Sequence, residues 1–295
     1  MTLTGTLTAE PQTQEIVHRA FWEENFPNLA INSRLAGAAV EQTALSAAEL
    51  SRAGERMREE GYFQAKDATL ARLAPVLAEA VITCKRLDIP PAFIFIFDEV
   101  WECFQALHPV LSAFLGADYK ALPDFWTWHV DPKAGESGWR PHRDKGRVSL
   151  APDGSPLSFS VWIPFTEAMP QNGCMYILPA NRDPVYNTAE EGQWRIDIAR
   201  VRALPARPGE FLVWDQALLH WGAESSRFAP HPRISVAMEF QRGDIRPFNQ
   251  PLSEPFANHS FEMRLKLVAK QILQYKHMYP LAARFETLAQ GLLAS

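Results

Sequence analysis

The sequence contains few cysteines and no long apolar run. Cys84, Cys103 and Cys174 are the three cysteines in 295 residues, and none belongs to a CxxC pair. This excludes a zinc knuckle and a disulfide framework. No stretch reaches the roughly 18 consecutive apolar residues of a membrane span. Met1 to Pro11 is polar and lacks the apolar core of a signal peptide. We therefore expect a cytoplasmic protein without a membrane partner.

The sequence also lacks an excess of positive charge. It has 29 Lys and Arg against 34 Asp and Glu, a net charge of -5, which argues against a nucleic-acid partner. A small anionic substrate is not excluded, because a few local cations suffice to bind one. Arg140, Arg143, Lys145 and Arg147 form such a cluster, although a solvated loop face is the simpler interpretation.

Three sections with different patterns follow one another along the chain. Residues 1–120 have helical periodicity and caps, 121–245 have short alternating runs between Pro and Gly, and 246–295 return to helical periodicity. Neither an internal repeat nor a low-complexity linker separates them. The pattern predicts a single α+β domain over residues 1–295. Its mainly β core would have N-terminal covering helices and a C-terminal helical segment.

In the first section, capping signals define the helices. Ser46–Glu49 is a capping box, and the helix that it starts should end near Gly61. Asp67 is the expected cap of a second helix. A third is predicted from Asp98 to Leu115.

The middle section predicts four strands. Ser158–Phe165 and Cys174–Leu178 flank the turn signal Gln171–Gly173 and are expected to pair as a hairpin. Glu210–Trp214 and Arg233–Phe240 are the other two.

The last of these strands has two chemically different faces. Successive side chains alternate between the faces of a sheet. One face is apolar and is formed by Ile234, Val236, Met238 and Phe240. The other is mostly polar and is formed by Arg233, Ser235, Ala237 and Glu239. In a barrel the apolar face can pack under the covering helices while the polar face lines the lumen.

His142 and Asp144 form the first part of a candidate metal site. Side chains at i and i+2 of a strand point the same way, so both could reach one ion while Arg143 points away. His220 can supply the third ligand from elsewhere in the fold. Two imidazoles and one carboxylate form the facial triad of non-haem Fe(II) oxygenases.

His129-Val-Asp131 is a competing HxD triplet. Pro132 follows it directly and would disturb a strand there. His129 is therefore interpreted as a histidine of the core or one beside the metal ligands, and His142 is preferred as the ligand.

Arg233 is a candidate clamp for a co-substrate. A guanidinium can bind a carboxylate through two parallel hydrogen bonds. Ser235 shares its face and could grip the same carboxylate. The alternative is a surface arginine after Pro232.

The stretch from Phe125 to about Phe240 resembles the phytanoyl-CoA dioxygenase family of Fe(II)/2-oxoglutarate-dependent oxygenases. The resemblance is carried by the iron motif Pro141-His-Arg-Asp144, the segment Ser160–Pro179 and the strand Pro208–His220 that leads to the distal histidine. Arg233 follows where the arginine that binds 2-oxoglutarate is expected.

The resemblance implies a double-stranded β-helix, or jelly roll. His142, Asp144 and His220 would bind Fe(II), while Arg233, Ser235 and Trp162 would bind 2-oxoglutarate. With O2 as the second co-substrate, the enzyme would hydroxylate an unactivated carbon of a small molecule and release succinate and CO2. Because related halogenases have a small residue in place of the carboxylate ligand, Asp144 favours oxygenation.

Two departures from the family pattern lie near the expected mouth of the site. The family often has Pro-Gly-Ser-His where this chain has Pro179-Ala-Asn-Arg182, and often has Ser two residues after the distal histidine, where Gly222 stands. They affect the substrate and not the ligands. The candidate substrate contacts are Trp128, His129, Trp139 and Arg182.

Other functions stay open at this point. The same site could catalyse desaturation or cyclisation. A jelly-roll zinc or manganese enzyme that is not an oxygenase would have no use for the carboxylate clamp. A binding protein on a decayed scaffold would not need all three ligands. The oligomeric state is not predicted.

Overall fold

The computed structural model describes residues 13–34, 41–43, 45–279 and 281–294, so the segment Met1 to Pro11 lies outside the described residues. Helices are α1 (Arg19–Asn25), α2 (Ala47–Glu60), α3 (Ala68–Arg86), α4 (Asp98–Ala106), α5 (His108–Leu115), α6 (Phe261–Tyr275) and α7 (Ala283–Ala294). Strands are β1 (Tyr62–Lys66), β2 (Lys120–Val130), β3 (Ser158–Pro164), β4 (Met175–Leu178), β5 (Arg202–Leu204), β6 (Glu210–Asp215), β7 (Leu219–Gly222) and β8 (Arg233–Gln241).

The strands form two antiparallel sheets. The larger has the order β1-β6-β3-β8-β2 and the smaller has the order β5-β4-β7. One cavity is lined by residues of both sheets. This is the jelly-roll architecture of the predicted α+β fold, with helices before and after the β core.

Helices cover the outer face of the larger sheet. The apolar side chains of β8 belong to the same buried core as those of α3 and α6. Phe95, in a short 3-10 helix at Pro91–Ile96, stacks on Phe125 of β2 with ring centroids 3.9 Å apart. The two faces predicted for β8 are therefore confirmed, because Arg233, Ala237 and Glu239 line the cavity on the inner side.

The predicted helix caps are present. Ser46 and Glu49 form a reciprocal capping box at the start of α2, and Gly61 ends that helix with a φ of 80°. Asp67 accepts a hydrogen bond from the backbone N–H of Leu70 at the start of α3. Among the described residues, no helix is long and apolar enough to cross a membrane.

Two predictions about connectivity were wrong. The helix expected from Asp98 to Leu115 is divided into α4 and α5 at Leu107, since Pro109 supplies no N–H to continue α4. The expected hairpin is absent too, because β3 pairs with β6 and β8 while β4 pairs with β5 and β7. Asn172 accepts from the N–H of Met169 and donates to the carbonyl of Glu167, and this connection carries the chain from one sheet to the other.

Candidate active site

His142, Asp144 and His220 lie together inside the cavity. One possible ligand atom from each falls within 4.8 Å of the others. Nε2 of His142 is 3.2 Å and Nε2 of His220 is 3.5 Å from Oδ1 of Asp144. His220 is at the start of the short β7, whereas His142 and Asp144 are not in a regular strand. Instead, His142 forms an isolated β-bridge with His220. The prediction of a regular strand at the HxD motif was therefore wrong.

The backbone orients both imidazoles in the same way. Nδ1 of His142 lies 2.7 Å from the carbonyl of Arg140, and Nδ1 of His220 lies 3.0 Å from that of Leu218. A carbonyl only accepts, so each Nδ1 carries the proton and each Nε2 presents its lone pair. Metal-binding histidines are held in this way.

Asp144 is fixed through its second oxygen. Oδ2 accepts from the hydroxyl of Ser160 at 2.6 Å and from the indole N–H of Trp214 at 3.1 Å. Oδ1 is left directed at the two histidines. Burial acts to raise the pKa of Asp144, but His220, His142 and Ser160 outweigh it and hold the pKa well below its usual value. Burial lowers the pKa of His220 to about 4, so this ring is neutral at neutral pH.

Arg233 is a buried cation in the same cavity. The residue is 1% exposed, and its Nη1 donates to the hydroxyl of Ser235 at 2.7 Å. No carboxylate of the described residues lies within 4 Å of the guanidinium, and Nε has no hydrogen-bond partner. Burial lowers its pKa to about 10, which still leaves it charged at neutral pH. A buried charge without a partner is costly, so this group is arranged to receive an anion.

Two glycines make room for Arg233. A Cβ at Gly222 would lie 2.9 Å from the Cα of Gly138 and 3.0 Å from Nη2 of Arg233, and a Cβ at Gly138 would lie 2.7 Å from the Cα of Gly222 and 2.9 Å from the same Nη2. The glycine at position 222, where the family often has serine, thus has a steric reason in this chain. Sequence reasoning missed Gly138, for which a lone glycine between Ser137 and Trp139 gave no signal.

Tryptophans form much of the remaining wall. The indole nitrogens of Trp126, Trp128, Trp139 and Trp162 are buried without a hydrogen-bond partner among the described residues. Trp162 lies beside Arg233, with the guanidinium carbon 5.9 Å from the ring centroid. Trp128 and Trp139 thus lie where a substrate contact was expected.

Other predicted residues lie elsewhere. His129 lines an adjoining surface pocket together with Trp128 and Trp139, outside the group that could hold a metal. Arg182 is exposed in the short 3-10 helix Ala180–Arg182 and does not line the cavity. In the basic cluster, Arg143 pairs with Asp183 and Lys145 pairs with Glu239, so neither is a free cation.

A family model confirms what this geometry indicates. Residues 33–229, more than half of the chain, match the phytanoyl-CoA dioxygenase (PhyH) family. The chain belongs to this family. Its members are Fe(II)- and 2-oxoglutarate-dependent dioxygenases, so the enzyme class, the iron, the 2-oxoglutarate and the O2 expected from the sequence are confirmed. The match stops before Arg233, whose role is not covered by it. No curated protein matches the chain significantly.

Solved structures of the same fold include enzymes with different reactions. The non-haem monooxygenase ThoJ in its apo form is 14% identical, with 80% of this chain and 98% of that chain covered and a TM-score of 0.54. EctD from S. alaskensis in its apoform is 14% identical over 79% and 99%, with a TM-score of 0.50. SnoN, a non-haem α-ketoglutarate-dependent epimerase from nogalamycin biosynthesis, is 16% identical over 67% and 84%, with a TM-score of 0.50.

The donor atoms of this PhyH-family chain fit an Fe(II) ion. Nε2 of His142 is buried and has no hydrogen bond of good geometry, as a ligand lone pair should be. One nitrogen of each imidazole and one carboxylate oxygen lie close enough together to share one ion. This donor set is the one that non-haem Fe(II) enzymes use.

Proposed function

We propose that this protein is an Fe(II)- and 2-oxoglutarate-dependent oxygenase that hydroxylates an unactivated carbon of a small molecule. His142, Asp144 and His220 would hold the iron. Arg233 and Ser235 would bind the far carboxylate of 2-oxoglutarate, with Trp162 packed beside it. Succinate, CO2 and the hydroxylated compound would be the products.

The observation that carries this proposal is the buried, unpaired guanidinium of Arg233 in the cavity that contains the triad. A hydrolytic metal site needs no such cation. A dicarboxylate that reaches the iron with one end supplies the missing counter-charge with the other.

Each group in the site has a separate task. When bound, iron and 2-oxoglutarate would activate O2 and so supply the oxidising chemistry. The carbonyls of Arg140 and Leu218 keep the imidazoles in the ligating tautomer, and Ser160 and Trp214 hold Asp144 in place. The tryptophan walls exclude water from the reacting carbon.

Structural relatives support a small-molecule substrate. EctD from S. alaskensis has been solved with 2-oxoglutarate and 5-hydroxyectoine, and SnoN belongs to nogalamycin biosynthesis. Asp144 occupies the carboxylate ligand position, which favours oxygen insertion over halogenation. Hydroxylation is thus proposed ahead of desaturation and cyclisation.

Anaerobic spectroscopy tests the proposal. Protein mixed with Fe(II) and 2-oxoglutarate should show the weak visible charge-transfer band of the chelate, and His142→Ala and Asp144→Ala should abolish it. If the wild type gives no band, the proposed function is wrong. If either variant keeps the band, the ligand assignment is wrong while the enzyme class stands.

A further inference from the structure

The lumen has a second polar end, opposite Arg233. Along β8 the inward-facing residues run from Arg233 through Ser235 and Ala237 to Glu239. A strand advances about 3.3 Å per residue, so the backbone positions of Arg233 and Glu239 are roughly 20 Å apart. A co-substrate clamped on Arg233 therefore leaves the Glu239 end free.

Two carboxylates face the cavity at this end. Glu239 is 9% exposed and Asp124 is 1% exposed, and both line the cavity. Lys145, which does not line it, lies 2.9 Å from Oε2 of Glu239 and 3.5 Å from Oδ1 of Asp124. Within the described part of the chain, Oε2 of Glu239 is buried and has no hydrogen bond of good geometry.

A second cation is one step further from the cavity. Asn249 and Gln274 donate to Asp124 at 2.8 and 2.7 Å, and Lys270 donates in turn to the side-chain oxygens of both amides. The lysines thus support the carboxylates from behind. Glu239 and Asp124 line the cavity, whereas neither lysine does.

Aromatic side chains enclose this end of the cavity. Tyr275 of α6 lies 4.6 Å from Trp139 and 5.5 Å from Trp126 between ring centroids. An independent sign of a ligand is the indole nitrogen of Trp126, which is buried, lines the cavity and has no partner in the described residues. Trp126 itself is 1% exposed. Aromatic faces and a carboxylate together are the surroundings that a desolvated cation prefers.

We propose that the primary substrate of this enzyme is a small amine, whose protonated nitrogen binds Glu239 and Asp124 between Trp126, Trp139 and Tyr275, and which carries a hydrogen-bond acceptor for the indole N–H of Trp126. This inference rests on the proposed function and names the substrate class for the same site. Burial raises the pKa of Glu239 to about 8, and a protonated amine beside it would favour its ionised form. A carboxylate substrate would instead bring like charge against these carboxyl groups in a buried site, which is unfavourable.

Binding to the loaded enzyme tests the inference. Anaerobic protein with Fe(II) and 2-oxoglutarate is titrated with linear and aryl-alkyl amines of four to eight carbons and with their alcohol and carboxylate isosteres. The shift of the chelate band reports binding. The amines should bind about 10- to 100-fold more tightly than either isostere, as expected for a charge-assisted hydrogen bond. Equal or tighter binding of the alcohols or acids, or no binding by any amine, overturns the inference.

Substitutions test which residues cause the tighter binding of amines. Glu239→Gln should reduce the advantage of the amines to within about threefold, and Glu254→Gln, which changes an exposed carboxylate on Lys120, should not. The double variant Glu239→Gln/Lys145→Met removes both partners and avoids a buried unpaired lysine. If the double variant keeps the chelate band and the full amine preference, the ion pair is purely structural and the inference is wrong.

The hydrogen-bond acceptor that the substrate is proposed to carry for Trp126 is tested separately. Adding a carboxamide to the best amine should tighten binding to the wild type and not to Trp126→Phe. An equal gain in both proteins removes Trp126 from the site. Since the chelate band forms without any amine, its absence would contradict the proposed function, whereas its presence without amine preference would contradict this inference alone.

Discussion

His142 and His220 exchange two main-chain hydrogen bonds of 3.0 Å each, N–H to carbonyl in both directions. The proximal and distal histidines of the proposed metal site are therefore joined through the backbone, independently of their side chains. The relative positions of their Cα atoms are set by this bridge, and the carbonyls of Arg140 and Leu218 set the ring orientations. The protein can thus present the triad before metal binds.

Ser160→Ala should weaken iron binding without removing a ligand. Ser160 donates to Oδ2 of Asp144 at 2.6 Å, and the loss of such support for a ligand costs roughly 10- to 100-fold in metal affinity. Anaerobic Fe(II) titration followed by the chelate band measures the change. Ser155→Ala, in which an exposed hydroxyl is lost, is the matched control. Equal affinities for wild type and Ser160→Ala would show that Trp214 alone holds the carboxylate.

Arg233→Met should raise the KM for 2-oxoglutarate about 100-fold or more, because a buried charge-assisted pair contributes roughly 3 kcal/mol. Metal affinity without 2-oxoglutarate should change little. Steady-state succinate formation over a range of 2-oxoglutarate concentrations measures the first effect and Co(II) titration the second. Arg207→Met, at an exposed arginine, is the control. An unchanged KM would remove Arg233 from its role.

Gly222→Ser should act through Arg233. The added Cβ would lie 2.9 Å from the Cα of Gly138 and 3.0 Å from Nη2 of Arg233, closer than such atoms usually pack, so the backbone at Gly138 must shift and the guanidinium must move slightly. We expect the KM for 2-oxoglutarate to rise about tenfold while the thermal midpoint falls by a few degrees. Gly192→Ser, where a Cβ meets nothing within 4 Å, should change neither. An unaltered KM in Gly222→Ser would mean that other parts of the cavity move to accommodate the serine and that Arg233 stays in place.

The sequence predicted those features that depend on near neighbours in the chain. The capping box of Ser46, the cap of Asp67 and the two faces of β8 each follow from residues a few positions apart. The grouping of His142, Asp144 and His220 was also predictable, because the order of the motifs along the chain resembles a known family, and the structure brings the three side chains together.

Pairing between distant segments was not predictable in the same way. The segments β3 and β4 flank a good turn signal, yet each finds partners in a different sheet. The HxD segment is held by a bridge to His220 and not by a strand of its own. Glu239 was assigned only to the inner face of β8, since its neighbours Asp124 and Lys145 come from other parts of the chain.

Asp215→Asn should alter how stability depends on pH. Asp215 is fully buried, accepting from the N–H of Ala217 and from the hydroxyl of Tyr186, each at 2.9 Å, and burial raises its pKa to about 7 from an ordinary 3.8. Because the folded carboxyl holds its proton more tightly than the unfolded one, its contribution to stability is complete below about pH 3.8. It is then lost as the pH rises through 7.

An asparagine has no proton to lose, so the stability of the variant relative to the wild type should increase as the pH rises. From pH 5 to pH 8 we expect the difference in unfolding free energy to move in favour of Asp215→Asn by roughly 2–3 kcal/mol, at 1.36 kcal/mol per pKa unit. Urea unfolding at pH 5, 6.5 and 8 measures it. Asp118→Asn, at an exposed position, is the control. A difference between Asp215→Asn and wild type that stays constant over this range would show that the folded carboxyl is already ionised at pH 5, because its hydrogen bonds then outweigh its burial.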